Sequence, residues 1–314
     1  LNHAEADAST HSQTVSEMRI TFLGSAAALA DPDRAQSAVL VTLGNGSHYL
    51  FDCGEGATRQ MLKANVNPAE VGTVFLTHLH LDHVIGLAYH ILMGWIFDRQ
   101  DAPRIFGPKG TASLVRHSLE GGAYDVDIRA RGSFPMRQRN MAAVRPQVTE
   151  IAQGVVFDDG ALKVTALPVR HIPPDICECY GFRIEAEGKV IAISSDTAPC
   201  ENVGVLARGA DLLIHECTFP QSFIDHRAKT GVGTFNHTTP AHVGETAALA
   251  GAKALVVTHF GHFDTVNPAL KRAAVAHMPV EQCGPHLLDE VARDVRRTYS
   301  GPLYLAHDLM RIDL

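Results

Sequence analysis

Short apolar runs rich in β-branched residues alternate along the chain with turn residues and with segments of helical length, a pattern typical of an α/β fold. Strands are expected over residues 18–23, 36–43, 48–52, 73–76, 103–106, 144–151, 155–157, 162–169, 179–184, 189–194, 211–219 and 253–258, with edge strands at 302–306 and 309–314. Helices are expected over residues 57–64, 84–97, 111–118, 241–250, 268–278 and 285–297. Two runs of strands with helices between them predict two sheets packed face to face, with the helices outside.

The pattern is interrupted in two places. Residues 120–142 carry glycines and arginines without a clear period, so we expect an irregular insertion that overhangs the functional site. Residues 1–16 are mostly polar or small and are expected to be poorly ordered. No linker and no internal repeat divides the remainder, which predicts one domain over residues 17–314.

The strongest chemical signal is Thr77-His78-Leu79-His80-Leu81-Asp82-His83, between a predicted strand and a predicted helix. His78 and His80 point to one face because side chains alternate along a strand, and neutral imidazole is a favoured zinc ligand. Asp82 and His83 follow where the chain turns, so they face a second ion beside the first. The alternative is a histidine-rich surface loop, which this spacing after a strand disfavours.

Further histidines and carboxylates follow other predicted strands or turns, namely His171, Asp196, Glu216, His237 and His259. A buried strand that ends in a carboxylate is costly unless the charge meets a partner or a metal ion. Taken singly, each of these residues would more often be an ordinary loop residue. Asp52 also ends a strand, where it would cap the helix predicted over residues 57–64.

Composition narrows the function only slightly. The formal charge is −7, with 27 basic and 34 acidic residues, and nucleic-acid binding proteins usually show a basic face. The six cysteines are scattered and predict neither a disulfide scaffold nor a zinc ribbon. No stretch approaches the roughly 20 apolar residues that cross a bilayer, so no membrane partner is expected. The polar start at Leu1 suits either a mature end after signal removal or a sequence added for expression, which leaves periplasmic, secreted and cytoplasmic locations open.

The motif His-x-His-x-Asp-His after a strand resembles the signature of the metallo-β-lactamase fold superfamily. Three further motifs resemble its ribonuclease Z and arylsulfatase branch: His215-Glu216-Cys217, His237-Thr238-Thr239 and Thr258-His259-Phe260. The resemblance covers residues 18–314. It implies an α/β fold, a four-layer αβ/βα sandwich of two mixed β-sheets flanked by helices.

The resemblance also implies the roles of the site residues. It implies two divalent metal ions, most simply Zn²⁺: the first held by His78, His80 and His171, the second by Asp82, His83 and His259, with Asp196 shared. Asp82, His237 and Glu216 are implied as catalytic residues, with His237 facing an anionic substrate oxygen and Glu216 orienting it. Asp52 would support the metal-binding turn through hydrogen bonds. His242 and His262 receive no role.

We therefore expect a dinuclear metal-dependent hydrolase of small anionic esters, of phosphodiester or aryl sulfate type, that uses a hydroxide bridging the ions. The alternatives are a ribonuclease Z-like endonuclease that processes the 3′ end of transfer RNA, a lactonase or β-lactamase type of hydrolase, and a non-catalytic or redox relative. Family resemblance implies a homodimer.

Nucleic acid is not expected as a substrate, for reasons of spacing and charge. In ribonuclease Z enzymes of similar length an arm that grips transfer RNA lies between the third histidine motif and the shared aspartate. The corresponding residues here, His171 and Asp196, are only 25 positions apart. Phosphate contacts also require clustered Lys and Arg, and the arginines at 129, 131, 137, 139 and 145 lie elsewhere, mixed with acidic residues.

Overall fold

Two seven-stranded sheets form the centre of the molecule in the computed structural model, which describes residues 17–231, 236–274 and 279–314. The expectation about residues 1–16 lies outside the described part of the chain. The strands are β1 Arg19–Gly24, β2 Ala38–Thr42, β3 His48–Phe51, β4 Thr73–Phe75, β5 Arg104–Gly107, β6 Gln147–Glu150, β7 Gly154–Asp158, β8 Leu162–Val169, β9 Cys179–Ala186, β10 Lys189–Ile193, β11 Leu212–Glu216, β12 Leu255–Thr258, β13 Leu303–Leu305 and β14 Arg311–Asp313.

The strand orders are β14-β1-β2-β3-β4-β5-β6 and β13-β12-β11-β10-β9-β8-β7. Both sheets are mixed, because β3 to β6 and β10 to β13 pair in parallel and the other neighbours pair antiparallel. The two C-terminal strands lie at sheet edges, as the sequence predicts, but in different sheets. The carboxyl ends of parallel strands therefore converge in each sheet.

The helices are α1 Ala57–Lys63, α2 Leu81–Val84, α3 Leu87–Ile96, α4 Thr111–Ser118, α5 Asp125–Gly132, α6 Pro135–Gln138, α7 Glu201–Ala207, α8 Gln221–Lys229, α9 Pro240–Ala250, α10 Pro268–Ala274 and α11 His286–Val295. The last residues of the helix predicted over 268–278 lie outside the described chain. Among the described residues, no helix is both long and apolar enough to cross a membrane.

The apolar core has three layers, which makes the fold the four-layer αβ/βα sandwich that the sequence predicts. Between the sheets, the rings of Phe51 and Phe75 stack at 4.9 Å, and Phe182 from the second sheet meets both edge to face. Trp95 and its neighbours fill the space between the first sheet and its helices. Val243 and its neighbours fill the corresponding space beside the second sheet.

The helix expected over residues 84–97 is two helices, α2 and α3, with a break at Ile85-Gly86. Gly86 packs against the Cys53-Gly54 backbone, and a Cβ atom at Gly86 would collide with the carbonyl oxygen of Gly54. The Gly86 amide donates a hydrogen bond to the Cys53 carbonyl oxygen at 2.9 Å. This close approach holds the histidine-containing turn against the end of β3.

The insertion predicted to be irregular is instead helical, formed by α5, α6 and a 3₁₀ turn at Met141–Val144. Its sequence lacks a helical period because α5 buries only Ile128 and α6 buries no residue. The insertion packs on α3 through Asn140, whose amide oxygen accepts a hydrogen bond from Trp95 Nε1 at 3.1 Å. It contributes no residue to the cavity at the site described below.

Two further helices, α7 and α8, were not predicted from the sequence. The first has only seven residues and the second buries a single side chain, Phe223, so neither has a strong amphipathic pattern. The helix predicted over residues 241–250 is confirmed as α9, which begins one residue earlier. Thr239 is its N-cap, with Pro240 as first helical residue.

Candidate metal centre

Asp52 holds the turn that carries the first histidines. Its carboxylate accepts hydrogen bonds from the Thr77 amide at 2.8 Å, from Thr77 Oγ1 at 2.9 Å and from Nδ1 of His83 at 2.8 Å. The supporting role that the resemblance implies for Asp52 is thus confirmed. The helix-capping alternative is wrong, because α1 starts after Gly56 and has no side-chain cap.

The first group of potential ligands consists of His78, His80, His171 and Asp196, whose ligand atoms all lie within 4.8 Å of one another. Nε2 of His171 is 2.9 Å from Nδ1 of His80 and 3.6 Å from the Asp196 carboxylate. Nδ1 of His171 donates to the carbonyl oxygen of Asn236 at 2.9 Å. This bond orients the His171 ring so that its other nitrogen faces the group.

The second group consists of Asp82, His83, His259 and, again, Asp196. Nε2 of His259 is 3.2 Å from Asp82 and 3.3 Å from Asp196. Nε2 of His83 is 3.5 Å from the same two carboxylates. Asp196 therefore stands between the two groups.

Three residues at the site have the left-handed backbone conformation that residues other than glycine rarely adopt. They are Asp52 at φ 59°, Ser195 at φ 61° and His259 at φ 63°, which follow β3, β10 and β12. Strained backbone of this kind concentrates at functional sites, where the surrounding structure enforces it. Of these residues, Asp52 and His259 contribute their side chains to the hydrogen bonds of the site.

Glu216 and His237 lie beside the second group. Nδ1 of His237 is 3.4 Å from the Glu216 carboxylate, which also accepts the backbone amides of Thr238 at 2.7 Å and Thr218 at 3.1 Å. The Thr218 hydroxyl donates to Glu216 and lies 2.9 Å from Nδ1 of His259. Glu216, His237 and His259 thus form one connected network.

Burial and charge act against each other on the acidic groups of the site. Burial would raise the pKa of Asp82, but the hydrogen bond with His259 and the nearby His83 hold that pKa at about 2. Burial opposes ionisation of Asp196 too, yet His259 and His83 keep its pKa well below the usual range. Both carboxylates are therefore anionic at neutral pH.

Burial and neighbouring charges also shift the pKa values of the histidines. Burial and the neighbouring His83 hold the pKa of His78 well below its ordinary value. Burial also disfavours the charged form of His83, but Asp196 and Asp52 outweigh it and raise the His83 pKa well above that value. Burial is likewise outweighed at His237, where Glu216 raises the pKa to about 8.

The two groups fit metal ions. Nε2 of His78 and Nε2 of His83 are buried and have no hydrogen-bond partner. A buried nitrogen without a partner is unfavourable, and a metal ion between the carboxylates and the imidazoles would satisfy it. Imidazole and carboxylate donors suit zinc and its neighbours in the transition series.

The structure brings together every predicted site residue in or beside these groups, and their individual roles stay predictions.

The structure also places at the site residues that the sequence did not predict. A cavity of about 340 Å³ opens on the site, and its wall also contains Leu29, Thr218, Arg227 and His262. Of the two histidines without a role, His242 is exposed on α9, whereas His262 is buried in the cavity wall. The only sequence signal for His262 was its position three residues after His259.

Comparison with known proteins finds relatives both in sequence and in structure. A family model described as "Anti-Pycsar protein Apyc1" matches residues 18–231. Ribonuclease BN of Cronobacter sakazakii is 31% identical over 295 residues, which cover 77% of this chain and 89% of that protein. Human tRNase Z, short form, superposes with a TM-score of 0.64 at 25% identity, over 94% of this chain and 98% of that one. The metallo-β-lactamase fold protein YhfI of Bacillus subtilis gives a TM-score of 0.69 at 18% identity, over 95% and 100%.

Fold and site together define a metal-dependent hydrolase of the metallo-β-lactamase fold. The chain belongs to the ribonuclease Z branch of that superfamily and to the family described as Anti-Pycsar protein Apyc1.

The expectation that nucleic acid is an unlikely partner is wrong, because the chain's relatives include a ribonuclease BN and a tRNase Z. The charge argument failed because net charge sums over the whole surface and does not report the potential at one cleft. The spacing argument correctly found that residues 171–196 hold no arm, since β9 and β10 form a hairpin there. An arm at this position is not a requirement for membership of the branch.

Proposed function

We propose that this protein is a dinuclear-metal phosphodiesterase that cleaves RNA, in a reaction like the 3′-end processing performed by ribonuclease Z. The observation that carries the proposal is the pair of ligand groups that share Asp196, next to the His237–Glu216 pair. The names of the relatives support RNA as the substrate. Residues 17–314 would act as one catalytic domain, because both sheets contribute residues to the site.

In this proposal His78, His80 and His171 hold one ion, Asp82, His83 and His259 hold the other, and Asp196 binds both. When bound, two divalent ions, most simply Zn²⁺, supply Lewis-acid activation of water and stabilisation of the charge that builds on phosphoryl oxygens. The hydrogen bonds from His171 to Asn236 and from His83 to Asp52 orient the ligating rings before any ion binds.

His237 would donate a proton to the leaving oxygen. Its Nδ1 faces Glu216 and the Thr218 hydroxyl, so Nε2 is left for the cavity that His237 lines. A pKa of about 8 keeps the ring protonated at neutral pH, and a general acid works best with a pKa near the operating pH. Asp82, which stays ionised, would orient the attacking water by accepting a hydrogen bond from it.

The surface around the site has room for a polymer. A second cavity of about 860 Å³ shares His171 and Asn236 with the first, and Arg170 lies in its wall. A substrate bound at His171 therefore has space to extend on that side by more than one nucleotide.

Short phosphodiesters and aryl sulfates are a second class of candidate substrate. The β9–β10 hairpin favours them, because it occupies the span where an RNA-gripping arm lies in ribonuclease Z enzymes. No feature of the described site specifically favours lactones or β-lactams.

The proposal is tested by measuring cleavage of a precursor transfer RNA and of bis(p-nitrophenyl) phosphate with the same zinc-loaded preparation. We expect defined 3′ cleavage of the RNA, at a higher kcat/KM than for the small ester. Hydrolysis of the small ester with no RNA cleavage would instead establish the second candidate class.

We also propose that the protein acts as a homodimer. Leu81, Ile85 and Tyr89 are spaced by four residues along α2 and α3, and they are 59%, 50% and 54% exposed. This spacing places them on one face, because Ile85 and Gly86 keep helical backbone angles between the two helices. Exposed apolar side chains clustered in this way mark interaction surfaces, and the family resemblance supports a second copy of the chain as the partner.

A further inference from the structure

The catalytic cavity contains one side chain with a fixed positive charge, Arg227, which the proposed reaction does not use. Among the described residues that line the cavity, the other basic side chains are all histidines. The charge of a histidine depends on pH and on metal binding, whereas an arginine stays protonated in proteins. Arg227 therefore gives this cavity a permanent attraction for anions.

The helix that carries Arg227 is anchored at its start. Phe223, one turn before Arg227 on α8, is fully buried and packs against Phe263, with ring centroids 6.3 Å apart. The Glu290 carboxylate accepts hydrogen bonds from the amide and the hydroxyl of Ser222, at 2.8 and 2.9 Å. Residues four apart lie on the same face of a helix. The face that Phe223 buries therefore continues into the cavity wall at Arg227.

The Phe219 ring holds the Arg227 guanidinium near the proposed general acid. The central carbon of the guanidinium lies over this ring, 4.6 Å from its centroid. A cation in this position is attracted by the electrons of the ring face. Phe219 in turn meets the His237 ring edge to face, with centroids 6.2 Å apart. A single aromatic ring therefore separates Arg227 from the residue that we propose to protonate the leaving oxygen.

The guanidinium is placed to bind a ligand in the cavity. Arg227 is only partly buried, and the buried part includes Nε, so a ligand would meet the Nη groups, which carry most of the N–H donors. Burial lowers the pKa of Arg227 from its ordinary value, because the charge is partly removed from water. A charge in this setting interacts more strongly with an opposite charge than it would in bulk water.

The chemistry of the guanidinium selects a phosphate as this ligand. Its planar fork of N–H donors matches two oxygens of one phosphate group, in a charge-assisted contact. The scissile phosphate would lie at the metal centre beside His237, and Phe219 separates that position from Arg227. The anion at Arg227 is therefore a different group. In a polynucleotide the nearest other anion is the phosphate one nucleotide away.

We propose that Arg227, held over Phe219, binds the phosphate adjacent to the scissile one and so makes the enzyme favour substrates with a second phosphate over single phosphodiesters. This inference rests on the proposed phosphodiesterase function. Arg227 is a specificity-determining residue in this scheme, and it neither binds metal nor transfers a proton. Bis(p-nitrophenyl) phosphate has no group for Arg227, which gives the expected preference for RNA a physical basis.

The test compares two diuridylates, UpU, whose one phosphate is the scissile group, and pUpUp, which carries a further phosphate on each side. We expect the zinc-loaded wild-type enzyme to favour pUpUp about tenfold in kcat/KM, the effect of one hydrogen-bonded charge pair. Arg227→Ala should bring this ratio close to one, through a larger loss on pUpUp. Arg227→Lys should keep part of the preference, because an ammonium retains the charge and lacks the fork.

Lys229→Ala is the matched control, because it removes an exposed positive charge from the same helix and should keep the wild-type ratio. A purely structural role for Arg227 would lower kcat/KM for both dinucleotides in the same proportion and leave the ratio unchanged in Arg227→Ala. That result overturns the inference. A wild-type ratio of one overturns it too, as does an equal fall of the ratio in Lys229→Ala and Arg227→Ala.

Direct binding separates this inference from the proposed function. Calorimetry would give the dissociation constants of UpU and pUpUp for zinc-loaded protein with His237→Ala, which slows turnover, in the presence and absence of Arg227→Ala. Binding of pUpUp about tenfold tighter than UpU, with the difference lost in Arg227→Ala, supports the phosphate site even if wild type cleaves neither dinucleotide. The proposed function then fails alone. Equal affinity for both dinucleotides in protein that retains Arg227 overturns the inference, whether or not RNA is cleaved.

Discussion

Three imidazoles at the site share one arrangement at the scale of single residues. One ring nitrogen bonds to a protein group and the other faces the ligand groups. His83 uses Asp52, His171 uses the Asn236 carbonyl and His259 uses the Thr218 hydroxyl. Such partners fix the ring orientation and raise the basicity of the ligating nitrogen.

Asp196 and His237 should respond differently to mutation. Asp196 is shared by both ligand groups, so Asp196→Ala should lower metal content and activity together. His237→Ala should keep the bound ions and lower turnover by roughly 10²–10⁴-fold, the usual contribution of a general acid. Elemental analysis and steady-state kinetics on the same preparations measure both effects. An Asp196→Ala protein with both ions and a near-normal rate, or a His237→Ala protein that binds metal poorly, would refute the assignment.

Asp52 offers a test of the orienting bonds themselves. Asp52→Ala removes the acceptor for the Thr77 amide and for His83, so we expect metal affinity to fall roughly 10–100-fold. Competition with a chromogenic chelator measures this change. Asp158→Ala, at an exposed strand end, serves as the control and should leave the affinity unchanged. Equal affinities in the two variants would show that Asp52 is dispensable for the centre.

At the scale of secondary-structure elements, the correct predictions are those that depend on short-range sequence patterns. β8 starts and ends as expected, and α9 starts within one residue of its predicted bound, because an apolar alternation and a Thr-Pro helix start are local signals. The helices α5 and α6 were not predicted, since α5 buries only Ile128 and α6 buries no residue, which leaves neither with an apolar face.

The contact through Asn140 gives a stability prediction. Asn140 is fully buried, accepts from Trp95 Nε1 and donates to the carbonyl oxygens of Trp95 and Arg99, each at 3.2 Å. Asn140→Ala leaves Trp95 Nε1 without its acceptor and the Arg99 carbonyl oxygen without this donor, so the free energy of unfolding should fall by about 1–3 kcal/mol. Urea unfolding followed by the fluorescence of Trp95, the single tryptophan, measures the loss.

Arg129 supplies the matched control for Asn140. It pairs with Asp125 on the exposed side of α5, where solvent screens the two charges, so the pair contributes little to stability. Arg129→Ala should therefore unfold near the wild-type midpoint. If Asn140→Ala did the same, the insertion would not depend on this contact for its position.

The whole molecule places its site where strand ends from both sheets meet. The sequence predicted the site residues because each of them lies in a short local motif. These residues are the motif at 77–83 and the later histidines and carboxylates. The partners of these residues, such as Asp31 for His262 over 231 positions, exist only after folding. Substrate was the least predictable property, since net charge reports the whole surface while binding depends on one cleft.

Assembly can be tested at the exposed face of α2 and α3. Ile85→Asp places a charge among Leu81 and Tyr89, so a homodimer formed through this face should sediment as a monomer. Leu249→Asp is the control, because Leu249 is 82% exposed on α9, away from that face. The proposal of a dimer fails if wild type is monomeric at micromolar concentration, and this face is excluded if Ile85→Asp stays dimeric.

The central claim, a two-ion centre that cleaves RNA, is tested most directly by titrating metal-free protein with zinc while following 3′ cleavage of a precursor transfer RNA. We predict no cleavage without metal and an activity that reaches its plateau at two ions per chain, since both ligand groups share Asp196. Cleavage by the metal-free protein, a plateau at one ion per chain, or two bound ions with no cleavage of the RNA would contradict it.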